Sequence, residues 1–166
     1  MQARLVDTNV LIVASAADDG SRFRADATPI EEAVLRQQVF DWLEAFEADP
    51  TRHAVLDVDW HVCGEYQHKL TDQDYGWLAM MHKMDRGEVV WVDVLLDKNG
   101  NAVLPPELAA AVTDLADRKM VAAALAALDA GHATQITNAS DTDWIDCQQA
   151  LNAVGLEVEN LLPDWL

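Results

Sequence analysis

Short apolar runs alternate with longer amphipathic segments along almost the whole chain, and this alternation limits the folds available to it. The apolar runs that predict strands are the stretch 4–12, whose strand ends at Asp7, and residues 53–59 and 88–96. Residues 134–137 predict a further short strand, and residues 156–162 predict an edge strand. The segments with helical periodicity are residues 28–48, 60–70, 72–85 and 107–128, and a last one that ends near residue 155. Strands that alternate with helices predict βαβ units, and therefore an α/β fold with a central, mostly parallel sheet of about five strands.

Composition narrows the class of protein further. The chain has 166 residues, 51% of them hydrophobic, which suits a single globular domain over residues 1–166. Cys63 and Cys147 lie far apart and outside any CxxC spacing, which argues against a zinc site or a disulfide framework and favours the reducing cytoplasm. We expect no signal peptide or membrane span, because the first apolar run is short and contains Asp7.

Asp7 is an unusual residue for the end of a buried strand. Desolvating a carboxylate is costly, so a buried Asp needs a cation, a helix to cap or a metal ion. Two interpretations are open from these residues alone. Asp7, Thr8 or Asn9 caps the helix that follows, or Asp7 is a metal ligand.

Four more carboxylates are candidates for the same site. Glu65 lies one helical turn past the second strand, Asp117 lies on the long fourth helix, and Asp141 and Asp143 follow the fourth strand. Each has a simpler alternative role. Glu65 has Lys69 four positions on as an ion-pair partner, Asp117 suits a solvated helix face, and Asp141 or Asp143 suits a helix cap.

The apolar strand ending in Asp7, Thr8 and Asn9 resembles the opening of PIN-domain nucleases, a family that includes toxins of toxin-antitoxin pairs. Residues 117–124, which read DRKMVAAA, are similar to the segment in which PIN proteins carry a helix-borne aspartate. The resemblance implies a PIN-like three-layer α/β/α sandwich and a metal-dependent ribonuclease. It also implies RNA as substrate, and an antitoxin protein and a homodimer as candidate partners. The shortness of the first apolar run separately argues against a membrane partner.

The same resemblance implies that one metal site gathers the acidic residues. The catalytic and metal-binding candidates are Asp7, Glu65, Asp117, Asp141 and Asp143. Ligands of parallel α/β sheets bind at the carboxyl ends of the strands, and a set of oxygen ligands prefers Mg²⁺ or Mn²⁺ to zinc. The candidates for supporting the carboxylates or contacting substrate are Thr8, Asn9, Asn138, Arg22, Arg24, Arg118 and Lys119.

Two other functions compete with the nuclease. The formal net charge of −18 repels phosphate backbones, which favours a catalytically degenerate acidic binding module or a nucleic-acid mimic. The apolar run that ends in Asp57, Val58 and Asp59 is similar to the nucleophile strand of haloacid-dehalogenase-type phosphatases, with Asp57 as the attacking carboxylate.

Overall fold

A five-stranded parallel sheet forms the centre of the protein. The computed structural model describes residues 1–18, residue 20 and residues 25–166. Its strands are β1 (Gln2–Val6), β2 (Arg52–Asp57), β3 (Val89–Val92), β4 (Ala133–Asn138) and β5 (Glu157–Asn160). Their order is β3-β2-β1-β4-β5, and each neighbouring pair is parallel. The prediction of a mostly parallel sheet of about five strands is confirmed.

Helices cover both faces of this sheet. In the described part of the chain they are α1 (Thr8–Ala17), α2 (Ala33–Ala48), α3 (His61–Lys69), α4 (Tyr75–Asp85), α5 (Pro106–Ala111), α6 (Leu115–Asp129) and α7 (Asp143–Ala153). Helices α1, α2 and α4 pack against one another, while α6 packs across β1 to β4 and α7 contacts α5 and β5. The result is a three-layer α/β/α sandwich. Among the described residues, no helix has both the length and the apolar character of a bilayer span.

The central strand β1 and the helix after it form the middle of the core. Leu5, Val6, Val10 and Leu11 are completely buried, as expected for a central parallel strand with helices on both sides. Helix α4 crosses α1 at Gly76, where a Cβ atom would lie 2.6 Å from the carbonyl oxygen of Leu11. Only glycine permits this close approach, so the crossing that fixes α1 beside the sheet depends on it.

The helix predicted to begin at Thr28 begins instead at Ala33, so that boundary was wrong. The Thr28 hydroxyl accepts a hydrogen bond from the amide of Ile30 at 3.2 Å, and Ile30 is buried in the core. Arg36 donates to the carbonyls of Ile30 and Glu31, at 2.8 Å each. Residues 28–32 therefore precede the helix in a non-helical conformation, because the hydrogen bonds of Thr28 and Arg36 fix their backbone.

The single helix predicted over residues 107–128 is also wrong, because the chain breaks it into α5 and α6. The side chain of Asp114 caps α6 by accepting from the amides of Ala116 and Asp117, at 2.8 and 3.1 Å. Arg118 donates to the carbonyls of Val112 and Ala109, at 2.8 and 2.7 Å, which ties the new helix to the end of the previous one. The break places Asp117 in the first turn of α6.

The third strand is shorter and more exposed than its sequence suggested. Residues 88–96 predicted a strand buried on both faces, but β3 covers Val89–Val92 and lies at an edge of the sheet. The side chain of Trp91 is 46% exposed. An edge strand needs apolar residues on one face only, so a continuous apolar run did not distinguish a central strand from an edge strand.

Candidate metal centre

The sheet brings two carboxylates together at the point where its strand order reverses. From β1 the chain continues to β2 on one side, while β4 lies on the other side of β1. Asp7 directly follows β1. Asp141 lies three residues after Asn138, the last residue of β4. The carboxyl ends of β1 and β4 therefore border the kind of crevice in which parallel α/β proteins bind ligands.

A third carboxylate reaches this crevice from α6. Asp7, Asp117 and Asp141 each place one carboxylate oxygen so that the three oxygens lie within 4.8 Å of one another. Asp7 is only 5% exposed, and Asp117 and Asp141 are half-buried. Three chain segments that are remote in sequence thus supply one compact set of oxygen atoms.

The electrostatics of this group disfavour three negative charges. Burial raises the pKa of Asp7 to about 6, and the nearby Asp141 adds to the effect. Burial raises the pKa of Asp117 to about 8, with Asp7, Asp114 and Asp141 adding like-charge repulsion. Burial and the neighbouring Asp143 and Asp114 also raise the pKa of Asp141. The protein without a cation therefore retains protons here that solvent-exposed carboxyl groups would lose.

Two asparagines that the sequence analysis proposed as supporting or substrate-contacting residues, Asn9 and Asn138, lie beside Asp7 and fix the geometry around it. The Asn9 amide donates to Oδ2 of Asp7 at 2.8 Å and to Oδ1 of Asn138 at 3.0 Å. The Asn9 oxygen accepts from the amides of Ala139 and Ser140, at 2.8 and 3.2 Å. Helix α1 and the loop after β4 are joined through this one side chain.

Asn138 fixes the backbone of Asp141, the second strand-end aspartate of the crevice. Its amide donates to the carbonyl of Asp141 at 2.9 Å and to the Asn160 side chain at 2.9 Å. Its oxygen accepts from the backbone amide of Asp141 at 3.0 Å. The backbone of Asp141 is therefore locked to the end of β4 on both its donor and its acceptor.

Trp144 is a residue of the site that the sequence analysis missed. Its indole Nε1 donates a hydrogen bond to Oδ2 of Asp7, and the residue is only 1% exposed. The residue follows Asp143 at the start of α7. A tryptophan on the buried side of a helix predicts core packing, and no feature of the sequence indicates that its N–H reaches a carboxylate 137 positions away.

Glu65 lies outside the compact group of three oxygens. Its Oε1 accepts from Lys119 at 2.8 Å and its Oε2 lies 3.4 Å from Nδ1 of His68. Two residues predicted to have separate roles, Glu65 as a metal ligand and Lys119 as a phosphate contact, are thus partners of each other. The alternative partner of Glu65, Lys69, is not the one that the ion pair uses. The role of Glu65 at a metal stays a prediction.

Asp143 borders the cluster without joining the three oxygens. Its backbone amide donates to Oδ1 of Asp141 at 2.9 Å, so Asp141 also supports the first turn of α7. A small cavity of about 40 Å³ lies beside it, and the polar side chains that line it belong to Thr113, Asp114, Asp117, Asp143, Asp146 and Cys147. Burial raises the pKa of the Cys147 thiol to about 11, so that thiol is protonated at neutral pH.

The basic residues predicted to contact phosphate are only partly described. Arg22 and Arg24 lie outside the described residues. The guanidinium of Arg118 is bound to backbone carbonyls of the α5 end, as given above. Thr8 is half-buried as the first residue of α1.

Asp57 occupies the equivalent position at the end of β2 and has a different environment. Its two oxygens accept from the backbone amides of His61 and Val62, at 2.9 and 2.7 Å, and its side chain is 1% exposed. A carboxylate that caps α3 with both oxygens is not placed to attack a phosphate. This geometry argues against the phosphatase hypothesis.

The donor set of the crevice fits a hard divalent cation. Asp7, Asp117 and Asp141 offer oxygen ligands, and the group contains no histidine or cysteine. Mg²⁺ and Mn²⁺ prefer such ligands, and a bound dication would relieve the repulsion that raises the carboxyl pKa values.

Comparisons of the chain with protein-family models, with curated proteins and with solved structures found no match.

Proposed function

We propose that this protein is a Mg²⁺- or Mn²⁺-dependent ribonuclease of the PIN type, which hydrolyses RNA phosphodiester bonds at Asp7, Asp117 and Asp141. The observation that carries the proposal is the meeting of these carboxylates within 4.8 Å at the topological switch point of a parallel sheet. The sequence resemblance to PIN nucleases implied these three residues together with Glu65 and Asp143, and it left open which of Asp141 and Asp143 binds the metal. The RNA specificity follows from that resemblance.

Each residue of the crevice has a defined task in this proposal. Asp7 is the central ligand because Asn9 and Trp144 hold its Oδ2 in place. Asp141 is fixed through Asn138, and Asp117 enters from the first turn of α6. A bound divalent ion would lower the pKa of an attacking water and stabilise charge on the leaving oxygen.

The same carboxylates explain how a strongly acidic protein can act on RNA. The net charge of −18 opposes the approach of a polyanion, so the crevice must become locally positive. Divalent ions are often the largest local charges in a site and reverse the local field. We therefore expect RNA binding at this crevice to require the metal, and not only the hydrolytic step.

The test is cleavage of a mixed-sequence RNA pool with Mg²⁺ or Mn²⁺. The Asp7→Asn and Asp117→Asn variants should each lose more than about 100-fold in rate, because each removes a negative metal ligand. The matched control is Asp129→Asn, which removes the same charge from the exposed far end of α6. This control should cleave RNA at the native rate.

Two outcomes would overturn the proposal. Equal cleavage by the native protein and Asp7→Asn would indicate a contaminating nuclease. No cleavage, together with no effect of Mn²⁺ on the melting temperature, would favour the acidic binding module, for which the net charge of −18 is the supporting observation.

A further inference from the structure

We propose that Trp144 is a positioning residue that determines how Asp7 binds a metal ion. With Asn9, it occupies Oδ2 of Asp7, so that only Oδ1 remains for the metal, and this favours Mg²⁺ and Mn²⁺ over Ca²⁺. The inference depends on the metal site of the proposed function and adds a residue and an ion preference to it.

Oδ2 of Asp7 accepts two hydrogen bonds. A carboxylate oxygen has two lone pairs, and Oδ2 of Asp7 accepts from the Asn9 amide at 2.8 Å and from the Trp144 indole. Both lone pairs of Oδ2 are therefore used by N–H groups. Among the described residues, no side-chain donor is bonded to the other oxygen, Oδ1, and we assign that oxygen to the cation.

The Trp144 indole and the Asn9 amide are both held in fixed orientations by their surroundings. Trp144 is 1% exposed in the interior, and an indole ring has one N–H and no acceptor. Asn9 is fixed by Asn138 and by the amides of Ala139 and Ser140. An aromatic ring buried in a close-packed core reorients only if its neighbours move, so the bond to Oδ2 is a fixed part of the site.

A single available oxygen has different consequences for different ions. Mg²⁺ requires near-octahedral geometry, keeps several waters and binds through one or two carboxylates. Ca²⁺ takes six to eight oxygens and often binds a carboxylate through both. Fixing Oδ2 to N–H groups withholds one ligand that Ca²⁺ could use and that Mg²⁺ does not need.

The test compares two Trp→Phe variants by calorimetric titration with Mn²⁺, Mg²⁺ and Ca²⁺. Trp144→Phe keeps the aromatic ring and removes the N–H that reaches Asp7. The matched control is Trp42→Phe, because Trp42 donates to Oε1 of Glu159 at 3.3 Å in a different part of the fold. We expect Trp144→Phe to weaken Mn²⁺ and Mg²⁺ binding about 10- to 100-fold and to reduce their advantage over Ca²⁺. Trp42→Phe should leave both unchanged.

Failure of this inference is distinguishable from failure of the proposed function. If the native protein binds none of the three ions, the metal site itself is wrong. If the native protein binds Mn²⁺ and Trp144→Phe binds it equally well with the same ion preference, only the role of Trp144 is wrong.

A second measurement uses the native protein and does not require the variant to fold. Among the indole N–H signals of the six tryptophans, that of Trp144 should broaden first when Mn²⁺ is added, because it adjoins a ligand. We expect the Trp144 signal to lie downfield of the other indole signals and to exchange slowly, because its N–H is buried and bonded to a carboxylate, and we expect both properties to persist with Mg²⁺. Loss of both on Mg²⁺ binding would indicate that Oδ2 leaves the indole for the metal, and would overturn the inference.

Discussion

The carboxyl ends of β1 and β2 carry the same residue in the same setting, yet the two sites differ. Asp7 and Asp57 are each buried, each at the end of a parallel strand and each followed by a helix. The backbone amides of α3 satisfy both oxygens of Asp57. Asp7 instead accepts two side-chain N–H groups on one oxygen and faces Asp117 and Asp141. Whether an aspartate at the end of a strand caps a helix or belongs to a site therefore depends on which groups lie next to its oxygens: backbone amides at Asp57, and side-chain N–H groups and other carboxylates at Asp7.

The largest expected effect is a difference in sign between two matched substitutions in metal-free protein. Asp57→Asn places an amide against a backbone N–H and should destabilise the fold by about 2 kcal/mol. Asp7→Asn removes one charge from a repelling group and should stabilise it by about 1 to 3 kcal/mol at neutral pH. Urea unfolding measures both values. A loss of stability in Asp7→Asn would mean that Asp7 serves the fold as Asp57 does.

The pH dependence of stability should next reveal the raised pKa values of the carboxyl groups at the end of β1. The pKa of Asp7 is raised from 3.8 to about 6, so between these values the folded protein holds a proton that the unfolded chain has released. Stability without metal should therefore fall by about 3 kcal/mol as the pH rises through this window, and should fall further towards pH 8 through Asp117.

Unfolding in urea across pH 4 to 8 tests this expectation. Asp7→Asn should flatten the lower part of the curve and Asp117→Asn the upper part. A native curve that is flat from pH 4 to 8 would contradict the raised pKa values of the cluster.

The stabilisation by a bound metal ion should depend on Asp7 at the end of β1 and not on Asp57 at the end of β2. Mn²⁺ at 100 times its dissociation constant should stabilise the native protein by about 2.7 kcal/mol. Asp57→Asn should gain the same amount from its lower starting point, and Asp7→Asn should gain much less. Melting curves with and without Mn²⁺ measure this, and an equal gain in Asp7→Asn would place the bound ion elsewhere.

The smallest expected effect concerns Glu65, whose role at the metal remains a prediction. Glu65→Gln removes the charge that pairs with Lys119 and should cost about 1 kcal/mol or less, since both side chains are partly exposed. If Glu65 only pairs with Lys119, Mn²⁺ affinity stays at the native value. A fall in affinity of about tenfold or more would place Glu65 at the metal.

The elements of this fold could be predicted from the sequence more reliably than their ends. The run before Asp57 predicted a strand correctly because an apolar run bounded by polar residues has few alternatives. The start of α2 and the division between α5 and α6 could not be predicted. They depend on hydrogen bonds by Thr28, Arg36 and Arg118 to backbone groups that helical periodicity does not reveal.

The amino-acid sequence by itself determined the class of fold and the acidic residues that end its strands and open its helices, because periodicity and desolvation act locally along the chain. Only the tertiary structure decided which carboxylates meet. In the folded protein Asp117 and Asp141 lie beside Asp7, and the carboxylate of Asp57 accepts from backbone amides of α3. The indole N–H of Trp144 bonds to Oδ2 of Asp7. The physical reason is that an anion's partners in a folded protein are set by strand order and helix position, which residues close in sequence do not specify.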